Sequence, residues 1–278
     1  MFMQPHSLAE ALQLLAGHDA QPFGGGTDIY PAHVGRPVTR DLVSLRQIEE
    51  LRVICDDGDH VRIGGSVTWS EILRSSLPPT FAALAQAARE VGSVQIQNCG
   101  TIAGNLCNAS PAADGVPPLL VLDASVELTS LEGKRRVKLA EFLTGYRKTS
   151  IRQGEVLSAV LVPKSKGASA FVKLGSRRYL VISIVMAAAL VERAPDGTII
   201  EARVSVGAAS PVARRLLDLE QDLVGLSGQI LPSTMIRSDH LNCLVPIDDV
   251  RATAGYRQDA AIVAIGRALD QAWGVKPA

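Results

Sequence analysis

A chain of 278 residues is long enough for one large domain or for two of ordinary size. Its 28 basic and 28 acidic residues balance, which gives no reason to expect binding to nucleic acid or to an anionic membrane surface. The apolar run at residues 181–191 is too short to cross a bilayer, and the N-terminus shows no secretory signal, so neither membrane insertion nor export is expected.

The first half of the chain mixes helical and strand patterns. Ser7 and Glu10 form a capping box for a helix that Gly17 ends. Strands at 51–55 and 60–63 flank a polar turn and predict a hairpin. A second capping box, Thr68 with Glu71, opens a short helix, and a further helix is predicted from Thr80 to the glycine at position 92. Residues 94–118 are rich in Gly, Asn and Pro and predict a long irregular segment, which is usually functional.

The second half is dominated by strands, at 125–129, 136–139 and 156–162. The polar stretch 164–168 predicts a domain boundary. Beyond it, strands at 170–174, 182–192 and 199–206 predict a meander, and the closing helix is predicted at 254–273. The pattern is that of an α+β protein in two parts.

The cysteines carry no paired metal-ligand spacing: they are Cys55, Cys99, Cys107 and Cys243. Reduced thiols in a cytoplasmic protein are the interpretation that fits best, and no metal site is expected.

The first chemical signal is the glycine triplet of Gly24, Gly25 and Gly26, followed by Thr27 and Asp28. Three residues without a Cβ allow backbone N–H groups to approach an anion together. An ordinary flexible loop explains the triplet equally well when it is considered alone. The spacing matches neither the dinucleotide fingerprint of a doubly wound fold nor a P-loop.

The second signal is the stretch 99–114. Gly100 and Gly104 allow close backbone approach, and the short polar side chains nearby can donate and accept hydrogen bonds. Turn stabilisation explains each polar residue singly. Two anion-binding loops together suit a ligand bridged by a diphosphate. No basic residue lies within either loop, so binding would rely on backbone dipoles. The residues alone therefore predict a dinucleotide site.

These loops resemble those of the FAD-binding subunits of the xanthine dehydrogenase and carbon monoxide dehydrogenase family. The resemblance rests on residues 24–28, 101–105 and 109–114, and it continues in order at 142–149, 155–163, 170–173 and 254–257. It therefore covers essentially the whole chain.

The resemblance implies an α+β architecture: a two-subdomain FAD-binding fold of the vanillyl-alcohol-oxidase (PCMH) type, followed by a small α+β domain. The first domain is expected at 1–166, with subdomains at about 1–55 and 56–166, and the C-terminal domain at 167–278.

The resemblance also implies the residues that contact FAD, and it implies no catalytic side chain. The diphosphate contacts are expected at Phe23, Gly24, Gly25, Gly26, Thr27, Asp28 and Ile29. The second loop contributes Thr101, Ala103, Gly104 and Asn105. Val91 is expected to line the cofactor, Asp114 to contact the adenosine side, and Leu157 and Lys173 to lie near the isoalloxazine.

The implied function is an oxidoreductase subunit that works with two partners, a large molybdopterin subunit and a small two-iron-two-sulfur subunit. Electrons would arrive from the clusters and leave to NAD+, or alternatively to a quinone or oxygen. The segment at 177–180 lacks an acid that many family members carry, so the acceptor stays open. Two alternatives are a stand-alone FAD-dependent reductase or oxidase of the same fold and a nucleotide-binding regulator without turnover.

Overall fold

The computed structural model describes residues 1–275 and contains both helices and strands. The helices are α1 (Leu8–Gly17), α2 (Ile29–Ala32), α3 (Trp69–Arg74), α4 (Ala82–Glu90), α5 (Val94–Cys99), α6 (Ile102–Asn108), α7 (Val116–Val121), α8 (Leu139–Phe142), α9 (Leu217–Leu223) and α10 (Ala254–Trp273). The strands are β1 (Phe2–Met3), β2 (Ala20–Phe23), β3 (Asp41–Ser44), β4 (Ile54–Asp57), β5 (His60–Gly64), β6 (Ser125–Ser130), β7 (Gly133–Lys138), β8 (Leu143–Gly145), β9 (Lys148–Thr149), β10 (Val156–Pro163), β11 (Ala168–Leu174), β12 (Val185–Arg193), β13 (Ile199–Gly207) and β14 (Arg214–Arg215).

The chain divides into two compact units, each assembled from three stretches of sequence. The first unit contains Met1–Ser75, Val94–Ala109 and Ala124–Lys164, and the second contains Ser76–Ser93, Ser110–Asp123 and the chain from Ser165 onward. The predicted domain and subdomain bounds remain a prediction. Residues 276–278 of the predicted C-terminal domain lie outside the described residues.

The first unit contains three sheets, the smallest of which is the two-stranded sheet β8-β9. The parallel strands β1, β3 and β2 form a three-stranded sheet, and α1 packs its leucines onto it next to the buried Val43 and Ile48. The second sheet is antiparallel, in the order β4-β5-β10-β6-β7. Its central strand β10 is buried at every position from Val156 to Val162. Apart from Ser158 this stretch is apolar, which is typical of a strand covered on both faces.

The second unit contains the antiparallel sheet β11-β12-β13-β14. The long helix α10 lays an apolar stripe, which includes Ala261, Ile265 and Leu269, against this sheet. Helix α4 is fixed to β11 through Ser169, whose Oγ accepts from the backbone N–H of Ala83 at 2.9 Å and donates to the carbonyl of Thr80 at 2.6 Å.

The α+β class is confirmed, and local signals located many of the elements. Ser7 caps α1, although Glu10 accepts from the N–H of His6 and not from that of Ser7. The capping box of Thr68 and Glu71 is complete. The predicted closing helix has the bounds of α10.

The expectation of a long irregular segment at 94–118 is wrong, because this stretch contains the short helices α5, α6 and α7. Each has only six or seven residues, which is too short to show a helical period in sequence. Among residues 1–275, no helix is long and apolar enough to span a membrane.

Candidate cofactor site

The first glycine loop begins where β2 leaves the parallel sheet of the first unit. Phe23, the last residue of β2, is buried, and its ring packs edge-on against the ring of Tyr30 at 5.6 Å. Gly26 has a φ of +72°, and a Cβ at this position would lie 2.6 Å from the Tyr30 ring and 2.8 Å from the Phe23 ring. The chain therefore turns back over Phe23 in a way that requires glycine at position 26.

The loop presents a run of unused backbone donors. The N–H groups of residues 24–28 donate no hydrogen bond to any other part of residues 1–275. Helix α2 starts directly afterwards, and the backbone carbonyls of Gly26 and Asp28 accept its first bonds. Consecutive free N–H groups in a glycine-rich turn are a cradle for an anion such as a diphosphate.

The second loop is held by Thr101, which caps α6. The Thr101 Oγ1 accepts from the N–H of Gly104 at 3.0 Å, and this side chain is buried. Behind it, the N–H of Ala103 donates to the carbonyl of Gly65 at 3.2 Å. A Cβ on Gly65 would lie 2.2 Å from the carbonyl oxygen of Leu157, so this glycine brings β10 close to the second loop. Gly65 is therefore a candidate residue that supports the second loop, and it was not among the predicted site residues, although the adjacent glycines at 64 and 65 are visible in the sequence.

The two loops contact each other directly. A Cβ on Gly24 would lie 2.9 Å from the Thr101 Oγ1, and one on Gly25 would lie 1.9 Å from the carbonyl oxygen of Cys99. The Oγ1 of Thr27 would lie 3.5 Å from a Cβ on Gly100. A Cβ on Gly25 would therefore collide with the backbone of the second loop.

Two polar side chains at these loops have informative partners. The Oδ1 of Asn105 is buried and has no hydrogen-bond partner within residues 1–275. Asp28 is exposed, and its Oδ1 accepts from the Nδ2 of Asn108 at 2.9 Å. The Nη1 of Arg147 in turn donates to the Oδ1 of Asn108 at 2.5 Å. Arg147 belongs to the stretch 142–149 that carries the family resemblance, but it was not among the predicted site residues.

In the second unit, Asp114 and Lys173 form a buried ion pair. The Lys173 Nζ lies 2.6 Å from the Asp114 Oδ2 and donates to the carbonyl of Glu90 at 2.9 Å, one residue before Val91. The Ser183 Oγ donates to the Asp114 Oδ1 at 2.6 Å. Burial raises the pKa of Asp114, while the ammonium of Lys173 lowers it and so opposes that rise.

Asp114 was expected on the adenosine side of FAD and Lys173 near the isoalloxazine. The structure brings the two side chains into direct contact within the second unit, and both roles remain predictions. Ser183, which contacts Asp114, was not among the predicted site residues, because no motif in the sequence around it indicates a polar contact.

The histidine nearest in sequence to the first loop is His33. Its Nδ1 makes a hydrogen bond to the carbonyl of Ile29 at 2.8 Å, which is a local helix contact. Within the described chain, no group of three or more His, Cys, Asp or Glu side chains could hold a metal ion.

The first unit offers a diphosphate the free backbone amides of residues 24–28 as donors, and the Oδ1 of Asn105 stands beside them as a buried acceptor without a partner among residues 1–275. Comparison with known proteins decides which family this is. A family model described as the FAD binding domain in molybdopterin dehydrogenase matches residues 1–165. A second, described as the CO dehydrogenase flavoprotein C-terminal domain, matches residues 170–272. The chain belongs to the FAD-binding subunits of the molybdenum hydroxylase family.

Individual relatives agree with this assignment. The FAD subunit is 31% identical to the xanthine dehydrogenase FAD-binding subunit of Escherichia coli O157:H7, over 90% of this chain and 88% of the relative. It is 30% identical to the carbon monoxide dehydrogenase medium chain of Afipia carboxidovorans, over 98% and 96% of the two chains. The solved carbon monoxide dehydrogenase of Hydrogenophaga pseudoflava superposes with a TM-score of 0.88, covering 98% of this chain and 96% of that chain at 26% identity. The FAD subunit is therefore an oxidoreductase component, FAD is its cofactor, and the resemblance inferred from its motifs is confirmed.

Proposed function

We propose that this FAD subunit relays electrons, receiving them from the iron–sulfur clusters of a small partner subunit and passing them to NAD+ or another acceptor. A large molybdopterin subunit would carry out hydroxylation. The supporting observation is the amide cradle at residues 24–28, which is packed directly against the second loop. When bound, FAD supplies the ability to take up electrons singly and to release them as a pair. The chain's own residues bind and orient it.

Within the first unit, we propose that residues 23–29 hold the diphosphate and that Thr101, Ala103, Gly104 and Asn105 complete this end of the site. The buried Oδ1 of Asn105 supports the proposal, because an unpaired buried acceptor is costly unless a ligand donates to it. Leu157 would line the cofactor near the second loop. In the second unit, Val91, Asp114 and Lys173 stand together as proposed cofactor contacts.

The partner subunits are proposed from the relatives, which include an FAD-binding subunit of a xanthine dehydrogenase and a medium chain of a carbon monoxide dehydrogenase. The cytoplasm is the compartment that we propose, because all four cysteines are free, as expected in a reducing environment.

The test is to purify the full chain together with the proteins that accompany it. We expect a yellow preparation with one FAD per chain, and molybdenum and iron in the same fraction. After anaerobic reduction, mixing separately with NAD+, a quinone and oxygen identifies the acceptor, and NAD+ should reoxidise the flavin fastest. A yellow protein that carries neither metal and oxidises a substrate alone would instead support the stand-alone reductase or oxidase. A colourless protein would exclude both.

A further inference from the structure

A short polar relay connects the first glycine loop to a turn far along the sequence. The relay consists of Asp28, Asn108 and Arg147, joined by hydrogen bonds of 2.9 Å and 2.5 Å. All three residues lie in the first unit. Arg147 lies in the two-residue turn between β8 and β9, in which Gly145 pairs with Lys148.

The chemistry of the end groups fixes the direction of the relay. An ionised carboxylate only accepts hydrogen bonds, and a guanidinium only donates them. The amide of Asn108 must therefore point its NH₂ group at Asp28 and its oxygen at Arg147. Both neighbours require the same amide orientation, so Asn108 couples the acid of the first loop to the cation of the turn.

The backbone at this turn adopts a conformation that its residue does not favour. Arg147 has a φ of +51°, and its N–H donates at 3.1 Å to the carbonyl of Ala109, which has a φ of +45° and ends α6. Glycine and asparagine are the usual residues at such hairpin positions. A bulky residue in the left-handed region persists where the surroundings hold it, and such positions cluster at ligand sites.

The positive charge of the Arg147 side chain indicates its role. A diphosphate in the cradle would place its negative charge beside the exposed carboxylate of Asp28, and neither loop contains a basic residue of its own. We propose that Arg147, acting through Asn108, is the positioning residue that offsets this negative charge and fixes Asp28 at the mouth of the cradle. This inference rests on the proposed FAD site.

The decisive variant is Arg147→Gly, because glycine relieves the left-handed backbone while the guanidinium is removed. The apo variant should therefore melt no lower than the wild type. Its Kd for FAD, measured by quenching of flavin fluorescence on the full chain, should rise by about tenfold at low salt, the order expected for one charge-assisted contact. At high salt the Kd values of the variant and the wild type should lie closer together. Screening weakens the charge interaction of Arg147 in the wild type, so less remains for the variant to lose.

Four further variants test the same inference. Arg147→Lys keeps the charge and should recover most of the affinity. Asn108→Ala should weaken FAD binding as much as Arg147→Gly does. The double variant Asn108→Ala with Arg147→Gly should bind FAD no more weakly than either single variant, because both changes interrupt the same relay. Lys148→Gln removes one positive charge next to Arg147, as Arg147→Gly does, but it should leave the Kd for FAD and its salt dependence unchanged.

An Arg147→Gly protein with wild-type affinity at low salt would overturn the inference. So would a loss that stays constant at every salt concentration, since that outcome indicates a purely structural role. If the wild type itself binds no FAD, the proposed function fails, and this failure is distinguishable because it appears before any variant is made.

Discussion

The role of Gly25 is decided by one distance, the 1.9 Å that would separate its Cβ from the carbonyl oxygen of Cys99. Because that atom belongs to backbone, it cannot rotate away as a side chain could. We predict that Gly25→Ala pushes the two loops apart, lowers the melting temperature and abolishes stoichiometric FAD binding. The ratio of flavin absorbance to protein absorbance after purification, together with a thermal melt, measures both effects.

The matched control for this change is Gly17→Ala. Gly17 ends α1, and a Cβ at this position meets nothing within 4 Å. This control should keep its flavin and gain up to about 1 kcal/mol of stability, since alanine is the better helix residue. A Gly25→Ala protein that melts like the wild type and holds one FAD would show that the loops do not depend on this contact.

The Lys173–Asp114 pair is almost fully buried, with side-chain exposures of 5% and 8%. Removal of one member of a buried pair leaves an uncompensated charge, which costs roughly 3–5 kcal/mol. We predict that Lys173→Met lowers the free energy of unfolding by about that amount. The double variant Lys173→Met with Asp114→Asn should be less destabilised than the sum of its single changes.

Denaturant unfolding of the single and double variants completes this thermodynamic cycle. The control is Arg40→Met, which breaks the surface pair with Asp19, whose side chains are 60% and 81% exposed. Arg40→Met should leave the free energy of unfolding almost unchanged, as is usual when an exposed ion pair is broken. Additive effects of the two buried changes would show that Asp114 and Lys173 do not stabilise each other.

At the scale of elements, β10 is held at its start by a clamp between Arg135 and Glu155. The Nε and Nη2 of Arg135 donate to the two carboxylate oxygens of Glu155 at 2.6 Å and 2.8 Å. This guanidinium lowers the pKa of Glu155 below its ordinary value. Because Glu155 lies two residues before Leu157, the clamp fixes the strand end that approaches the second loop.

The lowered pKa of Glu155 determines the sign of a pH effect. A carboxyl whose pKa is lower in the folded state contributes stability above its unfolded pKa, and the contribution is lost as pH falls through the folded pKa. We therefore predict that Glu155→Gln lowers the melting temperature most at pH 7 and that the difference shrinks below about pH 4. Thermal melts of both proteins across this range test the sign. The control Glu132→Gln, at an exposed turn, should track the wild type, and a constant difference at all pH values would contradict the clamp.

Elements with local signals were predictable, and elements shaped by distant contacts were not. The capping box of Thr68 and Glu71 lies within four residues, so the sequence alone revealed α3. Helix α6 instead depends on backbone bonds from its first residues to Val67 and Gly65, which lie more than thirty positions earlier. No short-range pattern records such bonds, so the segment looked irregular.

Contacts between distant positions also limit what could be predicted for the whole molecule. The glycine triplet and the ordered family motifs together predicted the cofactor and most proposed contact residues, because the motifs are short and their order is specific. The pairing of Asp114 with Lys173 joins positions 59 residues apart, and the Asn108 contact of Arg147 spans 39 residues. A sequence pattern can mark each partner, but only the fold shows that the partners meet.

For the whole molecule, a ligand that binds the folded chain and not the unfolded one must stabilise the fold. The gain is about 2.7 kcal/mol when free FAD is 100 times its Kd. We predict that the melting temperature of the FAD-stripped wild type rises steadily with FAD concentration. ADP, which shares the diphosphate, should give a smaller rise, and riboflavin, which lacks it, should give almost none. Gly25→Ala should show no rise with any of the three. Equal shifts from riboflavin and FAD would mean that the amide cradle at residues 24–28 does not hold the diphosphate.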